Sequence, residues 1–144
     1  MYEIENFWIY QKDFNTVAKF CMEMFESELK ENDTLHQMDI NCGVTSENEI
    51  YVTYYFREDT KSTELVPIDQ TFYKSFKKVK QAFNEKADGK HYRFTNIIVY
   101  ENFVRFDTYG PYRIYYSKNG TRPSLSNYYF FDRIRFHWYQ AIYL

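Results

Sequence analysis

The spacing of apolar residues changes along the chain, and this change constrains the fold more than any other feature. In one stretch, apolar side chains recur at the spacing of a single helix face. They are Phe14, Val17, Ala18, Cys21, Phe25 and Leu29. A second helical stripe begins near Asp69, ends at Asp88-Gly89 and contains Phe72, Phe76, Val79 and Phe83. The sequence therefore predicts two amphipathic helices, with Asp13 as the N-cap of the first.

The other segments alternate with a period of two, as half-buried strands do. The predicted strands are 2–10, 37–42, 49–56, 63–66, 92–100, 103–108 and 112–117. A tight turn is expected at Glu101-Asn102. The last segment, 128–144, fits a strand or a helix, and its β-branched and aromatic residues favour the strand.

Short turns between successive strands imply an antiparallel sheet. The predicted order is β-α-β-β-(β)-α-β-β-β-β. We therefore expect an α+β fold in which an antiparallel sheet of about five to seven strands has two helices packed on one face. No repeat or linker divides the chain, so residues 1–144 are expected to form a single domain.

The composition gives little support to catalysis or metal binding. The three histidines are far apart in sequence, and none has a Cys or His partner at zinc-site spacing. No glycine cluster could cradle a phosphate, and no nucleophile motif is present. We therefore expect no catalytic residue, no metal, no cofactor and no enzyme activity. Cys21 and Cys42 fall on predicted apolar faces, so both are expected to be buried, reduced thiols.

The start of the chain lacks the basic and apolar regions of a signal peptide. No apolar run approaches the roughly 18 residues that cross a membrane. The sequence therefore predicts a soluble, cytoplasmic protein without a membrane partner. Its oligomeric state stays open.

Charge is divided between the two halves of the chain, although the formal net charge is only −2. Residues 1–71 carry 15 acidic and 5 basic side chains, whereas residues 72–144 carry 5 acidic and 13 basic ones. Such asymmetry favours electrostatic recognition of a macromolecule. If the acidic and basic side chains of the two halves pair within the fold, they hold the fold together. If they face apart, the acidic end of the molecule attracts a basic partner.

Acidic residues gather toward the C-terminal end of the first helix, where negative charge opposes the helix dipole. The candidate partner-binding residues are Glu23, Glu26, Glu31, Asp33 and Asp39. An ordinary solvated helix face is the alternative explanation. Glu28 lies at the edge of the apolar stripe, which implies that the helix ends earlier or that Glu28 pairs with a cation.

The basic half offers a second function. Five arginines lie among Tyr and Phe on predicted strands: Arg93, Arg105, Arg113, Arg133 and Arg135. Cations between aromatic platforms are typical of single-stranded nucleic-acid binding. The sequence pI of about 5.9 and the lack of an RNP-type motif argue against it.

Two C-terminal stretches, Tyr109–Ser117 and Arg133–Tyr139, resemble small bacterial immunity proteins, the antidotes to polymorphic and contact-dependent growth-inhibition toxins. The resemblance covers about a third of the chain. It implies a cytoplasmic α+β domain that binds a toxin and blocks it. It assigns no individual residue a role.

The sequence therefore predicts a protein-binding inhibitor that neutralises a cognate toxin, such as a nuclease, by occluding its active site or substrate surface. The expected partner is a basic protein. The alternatives are a single-stranded nucleic-acid-binding module that uses the Arg/Tyr-rich C-terminal sheet, or a phage-encoded inhibitor of a host defence complex. The sequence does not distinguish a toxin antidote from the phage inhibitor.

Overall fold

A computed structural model describes residues 7–84, 93–124 and 128–143. Within these ranges lie two helices, α1 (Phe7–Glu31) and α2 (Gln70–Asn84). The strands are β1 (Leu35–Thr45), β2 (Glu49–Phe56), β3 (Lys61–Pro67), β4 (Phe94–Tyr100), β5 (Phe103–Thr108), β6 (Tyr112–Ser117), β7 (Tyr128–Arg135) and β8 (Trp138–Tyr143). The predicted α+β fold is confirmed, with more strands than the five to seven expected.

Helix α1 begins earlier than the sequence pattern indicated. Residues 7–10 are helical, so the strand predicted over 2–10 is wrong there, and its first part lies outside the described residues. Phe7 and Tyr10 extend the buried stripe that continues at Phe14. The N-cap prediction for Asp13 is also wrong. Asp13 lies inside α1, where its Oδ1 accepts a hydrogen bond from the Ser75 hydroxyl of α2 at 3.0 Å.

Helix α2 follows the prediction closely. Asp69 caps it, because its Oδ1 accepts a hydrogen bond from the Phe72 N–H at 2.8 Å. All four predicted stripe residues of α2 are buried. The predicted stop at Asp88-Gly89 lies outside the described residues.

All eight strands form one antiparallel sheet in the order β3-β2-β1-β4-β5-β6-β8-β7. The strands of the acidic half occupy one edge, and those of the basic half occupy the other. Glu101-Asn102 forms the expected turn between β4 and β5, with a positive φ of 69° at Asn102.

The last segment is a strand hairpin rather than one strand. The prediction that 128–144 is strand rather than helix is confirmed. The segment forms two strands, β7 and β8, which are joined by the two-residue turn Phe136-His137. His137 has φ 72°, in the left-handed region that favours glycine. Its Nδ1 lies 2.7 Å from the Ser117 carbonyl oxygen, which holds the turn against β6.

The two helices cover one face of the sheet, and the core lies between these layers. Phe14 sits at its centre, with its ring 5.3 to 5.8 Å from the rings of Phe83, Phe106 and Trp138. Cys21 and Cys42 are buried in this core as free thiols, as predicted. Among the described helices, none combines the length and the apolar character that crossing a membrane requires.

Candidate protein-binding surfaces

Four of the five predicted partner-binding residues lie at the C-terminal end of α1. Glu23 and Glu26 are on its surface, Glu31 is its last residue, and Asp33 is exposed in the turn before β1. We call these four residues the α1 acidic surface. Lys19 and Lys30 lie among them, and the net charge of residues 19–33 is −3.

Glu23 and Glu26 line a shallow cavity of about 220 Å³ between α1 and β6. Lys118 also lines it, and its ammonium group pairs with the Glu26 carboxylate. This ion pair joins the acidic half of the chain to the basic half. It leaves Glu23 exposed for another partner.

Glu28 is half-buried on α1, and the helix continues past it to Glu31. The alternative that the helix ends earlier is therefore wrong. Among the described residues, no ion pair joins Glu28 to a cation. The Glu28 carboxylate instead interacts electrostatically with the Tyr54 hydroxyl on β2. Burial raises the pKa of the Tyr54 hydroxyl to about 12, with smaller contributions from Glu28 and Glu64.

Asp39 lies apart from the α1 acidic surface. It projects from β1 on the sheet face opposite the helices, which we call the open face. Its Oδ1 accepts a hydrogen bond from the Asn96 side-chain amide at 2.9 Å. Burial raises the pKa of Asp39 above its ordinary value. A single partner surface therefore cannot use Asp39 and the α1 acidic surface together.

The open face carries a row of side chains that crosses all eight strands. In order from β3 to β7 they are Thr63, Thr53, Asp39, Ile98, Arg105, Tyr115, Tyr139 and Arg133. The acidic member lies toward β3, whereas the arginines lie toward β7. Of the predicted Arg/Tyr grouping, Arg105 and Arg113 meet at Asp107 on β5, Arg133 lies on the edge strand β7, and Arg93 lies just before β4.

Asp107 engages two of these arginines. Arg105 donates to both carboxylate oxygens of Asp107, at 2.7 and 2.9 Å, and Arg113 lies 3.5 Å from one of them. Paired guanidinium and carboxylate groups in this geometry form strong, directional bonds. Both arginines therefore already have an acidic partner within the chain.

Several aromatic rings of the open face are buried or covered by arginines. Tyr115 and Tyr139 are buried, and their hydroxyls bond to the Tyr143 hydroxyl and the Gly120 carbonyl. The Arg113 guanidinium lies 4.3 Å from the centre of the Tyr143 ring. Arg122 lies equally close to Phe131. An arginine thus covers one face of the Tyr143 ring and of the Phe131 ring.

Phe136 is a feature that sequence reasoning missed. It stands at the β7–β8 turn with 68% of its surface exposed, and the Arg133 guanidinium lies 5.3 Å from its ring centre. The turn contains no Gly, Asn or Pro, and apolar and polar residues alternate across it. The sequence pattern therefore predicted one continuous strand there. Because Phe and Arg side chains are enriched at protein interfaces, Phe136 beside Arg133 is suited to contacting a protein partner.

No cluster of three His, Cys, Asp or Glu side chains suited to a metal ion occurs within the described ranges. Burial raises the pKa values of the Cys21 and Cys42 thiols well above the ordinary range, which keeps both thiols protonated. Neither thiol is therefore exposed at the surface.

No protein-family model matches the chain, and neither the search of curated proteins nor that of solved structures found a match.

Proposed function

We propose that this protein is a binding inhibitor that neutralises a basic protein toxin, with a nuclease domain as the favoured target. The observation that carries the proposal is that acidic and basic side chains remain separated along the sheet of the folded protein. Carboxylates of the first half lie at the C-terminal end of α1 and on the β1–β3 end of the sheet, whereas arginines of the second half lie toward the β7 edge. The lysines of α2 do not share this separation, because α2 packs against α1.

Ion pairing inside the fold does little to cancel this separation. Of the three ion pairs formed between described residues, two join Asp107 to arginines of its own half. The Glu26–Lys118 pair is the one that links the halves. The remaining acidic side chains of the α1 acidic surface stay available, and their field extends into solvent.

The proposed mechanism is occlusion. A nuclease binds the phosphates of its substrate through cationic side chains, and the α1 acidic surface presents carboxylates in their place. Complementary charge accelerates the encounter between the two proteins. Apolar contacts then slow dissociation, which is where most of the affinity difference between related complexes arises. A phage-encoded inhibitor of a basic host defence protein would use the same physics.

The single-stranded nucleic-acid alternative is less well supported. It needs aromatic rings with free faces beside cations. Arg105 instead binds Asp107, and Arg113 and Arg122 lie over the rings of Tyr143 and Phe131. Phe136 beside Arg133 keeps an exposed ring near a cation and is the feature that fits this alternative. A gel shift with single-stranded RNA, strongly dependent on salt, would favour this alternative over toxin binding.

The proposal predicts that a gene for a toxin domain lies beside this gene, and the test is the rate at which the protein associates with that domain. Changing Glu23→Lys and Glu26→Lys together should slow association at low salt by about tenfold or more and flatten its salt dependence. Stopped-flow fluorescence measures both quantities.

The matched control changes Glu101→Lys and Asp132→Lys, two exposed residues of the basic half. It alters net charge by the same amount and should leave association within about twofold, because it spares the α1 acidic surface. Equal slowing by both double variants would mean that total charge matters and this surface does not. No complex with the neighbouring toxin would remove the proposal.

A further inference from the structure

Strand β3 forms an open edge of the sheet. It pairs with β2 through seven consecutive residue pairs, from Lys61 with Tyr55 to Pro67 with Glu49, and no register shift interrupts them. Its residues are exposed on both faces apart from the half-buried Val66. The outward N–H and C=O groups of such an edge are free to pair with another extended chain.

The opposite edge is protected. Strand β7 has two irregularities in its pairing with β8, one between Tyr128 and Phe130 and one between Arg133 and Arg135. Such irregularities twist an edge strand and hinder the addition of another strand. The two edges of one sheet therefore differ, and β3 is the regular, accessible one.

Charge indicates which kind of chain the β3 edge accepts. Residues 46–67 carry five acidic and two basic side chains. Glu64 lies at the middle of β3, on the helix side of the sheet, since it pairs with the buried Val52. The acidic end of α1 lies near this edge, because the Arg57 N–H after β2 donates to the Thr34 carbonyl in the turn after α1 at 2.9 Å, and β3 pairs with β2.

The other side of β3 is apolar at its centre. Leu65 pairs with Tyr51 on the open face, and they are 46% and 41% exposed. Side chains of an added strand would pack beside these two residues. A segment that alternates cationic and apolar residues matches both sides of β3, because successive side chains of a strand point to opposite faces.

A second copy of this chain fits the edge poorly. Pairing two β3 strands antiparallel over their full length would place Glu64 opposite Glu64. Like charges directly opposite one another destabilise a strand pair. Pro67, which lacks an N–H group, would also lie opposite Lys61 in each half of such a pair.

From this edge we infer that β3 docks an extended segment of a partner protein as a ninth strand, with Lys or Arg beside Glu64 and an apolar residue beside Leu65. Main-chain hydrogen bonds would supply affinity, and the alternating side chains would supply specificity. This inference rests on the proposed function, since the segment would belong to the same basic protein that the α1 acidic surface attracts.

The test uses two capped seven-residue peptides, one alternating Lys and Val and the other alternating Glu and Val. Titration into the ¹⁵N-labelled protein should shift the amide signals of residues 61–66 with the Lys peptide and leave those of 128–135 unchanged. Amides on alternate β3 residues should exchange more slowly with solvent. The Glu peptide should bind at least about tenfold more weakly.

Glu64→Lys is the matched variant, since Glu64 is exposed and takes part in none of the ion pairs formed between described residues. It should reverse the preference between the two peptides. Unchanged β3 signals with the Lys peptide, or equal binding of both peptides, would overturn the inference. Concentration-dependent shifts of residues 61–66 without peptide would also overturn it in favour of a second copy.

The two proposals can fail separately. If reversing Glu23 and Glu26 slows toxin association but the Lys peptide does not touch β3, the β3 docking inference falls and toxin binding stands. If the Lys peptide binds β3 but no complex forms with the neighbouring toxin, the proposed function falls and the edge retains its preference for a cationic strand.

Discussion

At the scale of single residues, the open face holds two aspartates in different environments. Asp107 receives two hydrogen bonds from Arg105 and lies near Arg113. Asp39 receives a hydrogen bond from the neutral Asn96 amide, and burial is the largest influence on its pKa. A carboxylate that is buried without a close cation costs the fold stability when it is ionised. Asp39 is therefore a residue whose charge does not serve folding.

We expect Asp39→Asn to raise the free energy of unfolding near neutral pH. Because burial raises the pKa of Asp39 in the folded state, the wild type loses stability as the pH rises through that value. Below the ordinary pKa the carboxyl is protonated in both states and the cost is absent. Urea unfolding at about pH 7 and about pH 3 should therefore show a gain for Asn at the higher pH alone.

Asp107→Asn is the control, and its expected effect on the free energy of unfolding is opposite to that of Asp39→Asn. It removes the charge that binds Arg105 and Arg113. It should lower the free energy of unfolding at neutral pH. An Asp39→Asn variant that is less stable than the wild type at neutral pH would contradict the assignment of desolvation as the dominant effect.

At the scale of elements, α2 is specified by its own sequence. Asp69 satisfies a free N–H of the first turn, and four apolar residues at helical spacing make the buried face. Helix α1 is different. Its N-terminal turn places Trp8 and Ile9 in solvent and is anchored by Phe7, whose ring lies 5.3 Å from that of Trp138 at the far end of the sequence. Packing between remote segments thus overrode a local pattern that favoured a strand.

Removing the cap of α2 should weaken the fold. We expect Asp69→Ala to lower the free energy of unfolding by about 0.5–2 kcal/mol, because the Phe72 N–H loses its acceptor. Asp69→Asn keeps an acceptor oxygen and should stay within a few tenths of a kcal/mol of the wild type. Urea unfolding monitored by circular dichroism measures both variants. Equal losses in both would show that the charge of Asp69, and not its hydrogen bond, supports the helix.

At the scale of the whole molecule, aromatic packing rather than charge holds the two halves together. A single ion pair between described residues joins the acidic half to the basic half, and it lies at the surface, where such pairs contribute little. Phe14 of the acidic half instead contacts Phe83, Phe106 and Trp138 of the basic half. The charges of the two halves are thereby left to act on partners.

Truncating this contact should be costly. We expect Phe14→Ala to lower the free energy of unfolding by about 3–5 kcal/mol, because it opens a cavity between both helices and the sheet. The same truncation at the exposed Phe136 should cost less than about 1 kcal/mol. Differential scanning calorimetry distinguishes the two. A comparable loss at both positions would contradict the assignment of Phe14 to the centre of the core.

The sequence alone determined the faces of most elements, because the period of apolar residues encodes local geometry. The bounds of β2, β5 and β6, the buried stripe of α2 and the two buried thiols were all predictable on this basis. Acidic residues could be assigned to the end of α1 for the same reason. Periodicity failed at residues 7–10 and at the Phe136-His137 turn, where contacts with β8 and β6 decide the conformation.

Only the tertiary structure decided how the strands are ordered and where the charges stand. Strand neighbours are chosen by contacts between remote segments, which local periodicity does not encode, so the β6-β8-β7 order could not be derived. That order protects the β7 edge and leaves β3 at the acidic edge. The same long-range packing placed Asp39 on the face opposite the α1 acidic surface, since strand residues alternate between faces and only the helices determine which face is covered.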